Sequence, residues 1–216
     1  METIRYALDQ GIATVTFDEP GSPVNTMKPQ WQQDMIALAD RLSADAPQLR
    51  GVLLTSAKTT FFAGAELKGV LKLTDADAAS GFVGIEKMKK AFRRIECMGK
   101  PVVSLINGAA LGGGWEVALI GHARFCLDNP KIPLGLPEVS LGLLPGATGI
   151  TKMTRLLGLM GAQPYLMEGK LLTPQKALDL GLIQGLAKDA RELHAMGLAF
   201  IEANEGVSFY SETGKD

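Results

Sequence analysis

Two glutamates stand where acid–base chemistry is favoured. Glu116 lies among Trp115, Val117 and Ala118, and Glu138 sits in the run Leu134-Gly135-Leu136-Pro137-Glu138-Val139. Apolar neighbours desolvate a carboxylate and raise its pKa, and two such groups near one pocket are raw material for proton transfer. Taken singly, either also reads as a surface or capping residue.

Two loops of small residues offer a second kind of chemistry. Phe61-Phe62-Ala63-Gly64-Ala65-Glu66-Leu67-Lys68 leads from a strand region into a helix, where bare N–H groups favour negative charge. Alone, it reads first as a simple turn with a helix cap. Asn107-Gly108-Ala109-Ala110-Leu111-Gly112-Gly113-Gly114-Trp115-Glu116 is more demanding. Glycine costs roughly 0.5–1 kcal/mol relative to alanine in a helix, so the run from Gly112 to Gly114 implies that something approaches the backbone closely. A dinucleotide is one candidate, but Val117 occupies the third glycine position and no acidic residue ends a following strand at the required distance. The other candidate is a pair of amides, one from each loop, converging on one carbonyl oxygen. Each such donor contributes roughly 2.7–4 kcal/mol when that oxygen gains charge.

Elements must hold these pieces in place. Residues 4–8 and 12–17 read as strands around an Asp9-Gln10-Gly11 turn. Pro29 opens a helix reaching about Leu42, with Trp31, Met35, Leu38 and Leu42 on one face. Residues 52–55 and 102–106 are strands without a polar face, and 124–127 is a further short one. Helices are expected over 66–73, 78–97 and 111–120. The last third, 151–204, reads as helical, with Thr173 as N-cap before Pro174 and Gly181 as a stop. Buried strands alternating with helices predict an α/β fold with a mostly parallel sheet. One domain, 1–204, is expected, with 205–216 as a tail or the start of a linker.

Composition narrows the class. The chain has 216 residues, 46% hydrophobic and 21% charged, with net charge −1, so neither nucleic acid nor an anionic membrane is indicated as partner. The basic run Lys87, Lys89, Lys90, Arg93 and Arg94 reads as a solvated helix face. Residues 1–10 carry three charges and no apolar run, unlike a signal peptide. Asn107, Glu116 and glycines interrupt the most apolar stretch, 102–120, which argues against a membrane span. Cys97 and Cys126 fit no metal or redox spacing and read as reduced, buried thiols in a cytoplasmic protein; no metal site is expected. His122 and His194 read as packing or surface residues.

In order and spacing, the Phe61 to Lys68 run, Lys100-Pro101-Val102-Val103, the Asn107 to Glu116 run, Leu136-Pro137-Glu138 and Leu143-Leu144-Pro145-Gly146 resemble the crotonase (enoyl-CoA hydratase/isomerase) superfamily. The likeness extends from Val24-Asn25-Thr26 to Ala177-Leu178-Asp179-Leu180-Gly181-Leu182-Ile183. Gly121-His122-Ala123-Arg124 and the stretch from Cys126 to Lys131 are similar to the hydratase/isomerase region of multifunctional fatty-acid oxidation α-subunits.

The resemblance implies a crotonase-like spiral of ββα units with a helical C-terminal part. It implies an enoyl-CoA hydratase of fatty-acid β-oxidation, a Δ3-Δ2 enoyl-CoA isomerase, or an acyl-CoA-binding module without turnover. On it, the N–H groups of Ala65 and Gly113 match the oxyanion hole, Glu116 matches the water-activating acid, and Glu138 matches the acid that exchanges the α-proton. Ala63, Glu66, Leu67 and Lys68 match the coenzyme A side of the pocket, and Lys68 reads equally as a solvated residue. No cofactor is implied beyond the coenzyme A of the substrate. A trimer-like homo-oligomer, or a place in a fatty-acid oxidation complex, is implied as partner. Ala147-Thr148-Gly149-Ile150-Thr151-Lys152 departs from the family's usual Ala-Gly-Gly-Thr-Gln-Arg, and Trp115 is bulkier than usual, as if shaping the acyl pocket. Family members continue with further helices, so the chain is expected to be a fragment of a longer protein.

Overall fold

The computed structural model describes residues 1–209 except Leu67, Lys68, Val70 and Leu73. Strands β1 (Ile4–Asp9) and β2 (Ile12–Phe17) pair antiparallel across the Gln10-Gly11 turn. Strands β3 (Gly51–Ser56), β4 (Val102–Ile106), β6 (Ala123–Leu127) and β8 (Gly185–Ala187) continue the sheet in parallel, in the order β1-β2-β3-β4-β6-β8. A second, two-stranded parallel sheet joins β5 (Ala110–Leu111) to β7 (Leu134–Gly135).

Alternation along the central strands divides the core. Val52, Leu54, Val102 and Ile106 pack with helices α1 (Pro29–Asp45) and α2 (Ala78–Glu96), which supply Trp31, Met35, Leu38, Phe92 and Ile95. The intervening Leu53, Val103 and Leu105 face the other way, onto Leu193 and Ile201 of α6 (Ala190–Ala203). Successive strand side chains point to opposite faces, so a strand covered on both sides has no polar position to spare.

The C-terminal third differs from the all-helical expectation. Helices α4 (Gly149–Met167) and α5 (Pro174–Asp179) form as read, and Thr173 Oγ1 caps α5 by accepting from Lys176 N at 3.3 Å. Between α5 and α6, however, Gly185–Ala187 joins the sheet edge as β8. Three residues are too few to leave a period in the sequence. Expected helix 111–120 is also shorter. Leu111 belongs to β5, and α3 covers only Gly113–Ala118.

This shortening places the glycine run. β4 ends, the chain steps sideways into β5, and Gly112 turns it into α3 with φ 55° and ψ −127°, a backbone state open in practice only to glycine. β6, β7 and a 3-10 turn, Glu138–Leu141, repeat the same path. Phe62 bridges to Ala110, which adds the Phe61–Ala65 loop to the small sheet. Phe61 and Phe62 are fully buried against Phe17, with ring centroids at 5.8 and 5.6 Å, and Phe62 lies 4.9 Å from Trp31. Asn25 completes the anchor, its Nδ2 donating to Phe61 O at 3.2 Å and to Ser56 Oγ at 2.9 Å. Both candidate loops therefore rest on a rigid aromatic floor.

A Cβ at Gly114 would lie 2.1 Å from Phe62 O. Gly114→Ala must push the two loops apart, an overpacking that costs about 1–3 kcal/mol. Thermal unfolding is expected to drop by roughly 2–12 °C. Gly81→Ala, in a helix with open space around it, is the control and is expected to hold or raise the midpoint. Equal midpoints for the two variants would show that the loops do not constrain each other.

Candidate active site

Four segments meet at the ends of the small sheet: the Phe61–Ala65 loop, the start of α3, the 3-10 turn carrying Glu138, and the start of α4. Leu111 N donates to Phe62 O at 3.2 Å, and Gly112 N donates to Gly135 O at 2.8 Å, so the glycine turn is tied to its neighbours on both sides. A Cβ at Gly64 would sit 2.6 Å from Leu111 O and 3.4 Å from Gly113 N. The residues flanking Ala65 and Gly113 are thus in contact. Neither the Ala65 nor the Gly113 amide donates a hydrogen bond to any described residue. Ala63, half-buried, spends its own amide on Asn25 O at 2.9 Å.

Both glutamates reach this place. Glu116 is 2% exposed. Its Oε1 accepts from Ala147 N at 3.0 Å, Thr148 N at 2.8 Å and Gly149 N at 2.7 Å, the amides that open α4. Oε2 accepts no hydrogen bond from the described residues. Burial raises the pKa of Glu116, and the three amide donors oppose it by favouring the anion. Glu138 is differently placed. Its carboxylate packs over the glycine turn, where a Cβ on Gly112 would lie 2.7 Å from Oε1. Its Oε2 is buried without a hydrogen-bond partner among the described residues. Burial is the main force pushing its pKa up to about 7, and the charge of Glu116 adds to the push. The two acids therefore sense each other.

Of the residues singled out in the sequence, Glu116, Glu138, Gly113 and the Ala63–Ala65 segment come together. Glu66 is half-buried at the edge of the same loop, and Leu67 and Lys68 lie outside the described residues. Trp115 does not front the pocket. It is fully buried and donates from Nε1 to Met153 Sδ at 3.4 Å, bracing α3 against α4. His122 is a packing residue, between Val102 N and Glu96 O at 3.0 Å each, and burial pushes its pKa down to about 4. Among the described residues no His, Cys, Asp and Glu side chains gather in the threes that hold a metal ion.

Two contributors escaped the sequence reading. Met27 places Sδ 2.5 Å from where a Gly113 Cβ would be, so its thioether rests on the glycine turn. The amides of Ala147 to Gly149 hold Glu116, yet their sequence registered only as a departure from the family pattern. Backbone donors leave no residue-type signal, apart from the tight fit at Gly149, where a Cβ would lie 3.0 Å from Glu116 Oε1.

Such a site can polarise an acyl oxygen with main-chain N–H groups and move protons with two acids of different strength. Comparison with known proteins places the chain in a family. The fatty acid oxidation complex subunit alpha of Idiomarina loihiensis is 38% identical over 197 residues, 87% of this chain and 27% of that protein. The same subunit of Shewanella putrefaciens is 39% identical over 176 residues, 81% of this chain and 24% of its own. This chain thus spans about a quarter of the length of these curated relatives. Among solved structures, the enoyl-CoA hydratase of Thermoplasma volcanium matches with a TM-score of 0.80 at 26% identity, covering 94% of this chain and 77% of that one. The enoyl-CoA hydratase of Bacillus anthracis shares the fold with a TM-score of 0.81 at 24% identity, over 93% and 76%. A family model described as enoyl-CoA hydratase/isomerase matches residues 7–203, and the chain belongs to that family.

Proposed function

We propose that this chain is an enoyl-CoA hydratase, adding water across the 2,3 double bond of an enoyl-coenzyme A thioester in fatty-acid β-oxidation. One observation carries the reading. A buried Glu116 and a half-buried Glu138, unlike in environment, share a site with two amides that donate to no described residue.

The Ala65 and Gly113 amides receive the thioester oxygen and gain strength as it takes on enolate charge. Glu116, its Oε1 held by three amides, keeps Oε2 for water and removes a proton as the oxygen attacks the β-carbon. Glu138, with a pKa of about 7, delivers its proton to the α-carbon. The proton then held by Glu116 returns to Glu138 through solvent, which resets the pair. Ala63 and Glu66 are assigned to the coenzyme A side, and the substrate's own coenzyme A is the only cofactor the reading requires.

Glu138 alone supports a second reading, Δ3-Δ2 isomerisation. A carboxyl with a pKa near 7 can take an α-proton and return it at the γ-carbon. Exposed Leu144, Leu159 and Met160 support contact with another copy or with a fatty-acid oxidation complex. Cys97 and Cys126, neither of them in a disulfide, support a cytoplasmic setting; no described helix is long and apolar enough to cross a membrane.

Glu116→Gln and Glu138→Gln are each expected to slow hydration of crotonyl-CoA by at least about 100-fold, followed by loss of the conjugated thioester absorbance. Hydration persisting in both variants would remove the mechanism. Isomerisation of a 3-enoyl-CoA should survive Glu116→Gln better than Glu138→Gln, and equal losses would refute the division of roles. The pH profiles separate the two reactions further. Hydration needs Glu138 protonated, so its kcat/KM falls as pH rises through about 7, whereas isomerisation begins with Glu138 as base and rises over the same range. Parallel profiles between pH values of about 6 and 8 would contradict this assignment.

A further inference from the structure

We propose that Lys152 positions Glu116, locking α3 to α4 from the side opposite the pocket. The inference rests on the hydratase reading for its kinetic consequences and on geometry alone for its structural ones.

Helix α3 is only six residues long, so its internal hydrogen bonds do little to fix its direction. Its contacts with α4 must do that. On the pocket side, the first amides of α4 grip Glu116 Oε1. One turn further along α4, Met153 Sδ accepts from Trp115 Nε1, and Lys152 Nζ donates to Leu119 O, the C-cap carbonyl of α3, at 2.8 Å. Lys152 also forms an ion pair with Glu96 at the end of α2. The ammonium therefore joins the ends of α2 and α3 to the first turn of α4.

This lock is buried, with the Lys152 side chain 15% exposed and that of Glu96 4%. Taking both charges out of water is costly unless hydrogen bonds and pairing offset it. Arg93 adds a second contact to Glu96 Oε2 at 3.5 Å, and a cation at a helix C-terminus is well placed against the helix dipole. Glu138 hangs from β7 and the glycine turn and touches none of these groups. A loosened lock should thus disturb one acid and spare the other. Beside Lys152 lies a cavity of about 120 Å³ whose walls include His122, Arg124 and Arg155, which leaves room for a larger side chain.

The test is Lys152→Met combined with Glu96→Gln, which removes the tie to Leu119 O together with both charges of the Lys152–Glu96 pair. Two readouts are taken. Amide hydrogen exchange at Ala147, Thr148 and Gly149 should quicken at least about tenfold, while Leu172 N–H, bonded to Leu134 O at 2.8 Å, stays within about threefold. Turnover of crotonyl-CoA in hydration should fall at least about tenfold, with isomerisation of a 3-enoyl-CoA within about threefold. Unchanged exchange at the three amides, or a parallel loss of both activities, overturns the inference. A parent protein that catalyses neither reaction refutes the hydratase reading, and exchange alone then decides the lock. Should the double variant not fold, Lys152→Arg carries the test. It keeps the buried charge and is expected to retain both amide protection and hydration; losing one without the other overturns the inference.

Discussion

The site depends on two stretches of backbone touching where no side chain could stand. A Cβ at Gly114 would fall 2.1 Å from Phe62 O, one at Gly108 would fall 2.1 Å from Thr59 O, and one at Gly64 would fall 2.6 Å from Leu111 O. Main-chain N–H groups are oriented by the path of the chain, so bringing one from each loop to a common place requires the paths themselves to meet. Three glycines and an aromatic floor achieve this. Phe61 and Phe62 are buried against Phe17 and Trp31, so the loop cannot retreat from the contact without opening the core. A preorganised donor needs no rearrangement when charge develops, which is why rigidity here has chemical value.

Given that floor, the two acids are distinguished by what surrounds them rather than by what they are. Glu116 and Glu138 are both desolvated, and burial raises both. Glu116 meets the amides at the start of α4, and three donors on one oxygen favour its anion. Glu138 packs over a glycine turn beside a neighbouring negative charge, with only its own backbone N–H to favour the anion. One residue type thus supplies a holder of negative charge and a reservoir for a proton. The charge of Glu116 adds to the rise at Glu138, so protonating Glu116 eases ionisation of Glu138.

Much of this was legible in the sequence, for identifiable reasons. The buried strands and α1 announce themselves through hydrophobic period, because burial acts on side chains and side chains are what a sequence records. The glycine run was legible through its cost, and the acids through their apolar neighbours. What was hidden is whatever the main chain does alone. β5 and β8 are two and three residues long, and the cradle of Glu116 consists of N–H groups on Ala147, Thr148 and Gly149. Apart from the tight fits at Gly149 and Gly185, none of these needs a particular residue type, so little pattern is left. Trp115 was misjudged for a related reason. Its place beside Glu116 suggested the pocket, but neighbours along a helix lie about 100° apart around its axis. An acid that faces the pocket therefore turns the residue before it toward the core.

That rotation links fold to chemistry. Within α3, Glu116 reaches forward to the amides of α4 while Trp115 reaches to Met153 and Leu119 O receives Lys152. A helix this short has little stiffness of its own, so the direction of its carboxylate reflects three contacts with one neighbouring helix. Glu138, by contrast, takes its position from β7 and the turn at Gly112. The acids come from successive repeats of one strand–strand–helix path, and each is held by a neighbour outside the short helix or turn that carries it. Separate supports let one site place its two acids independently, because a change that shifts one carboxylate need not move the other, even though the charge of one is felt by the other.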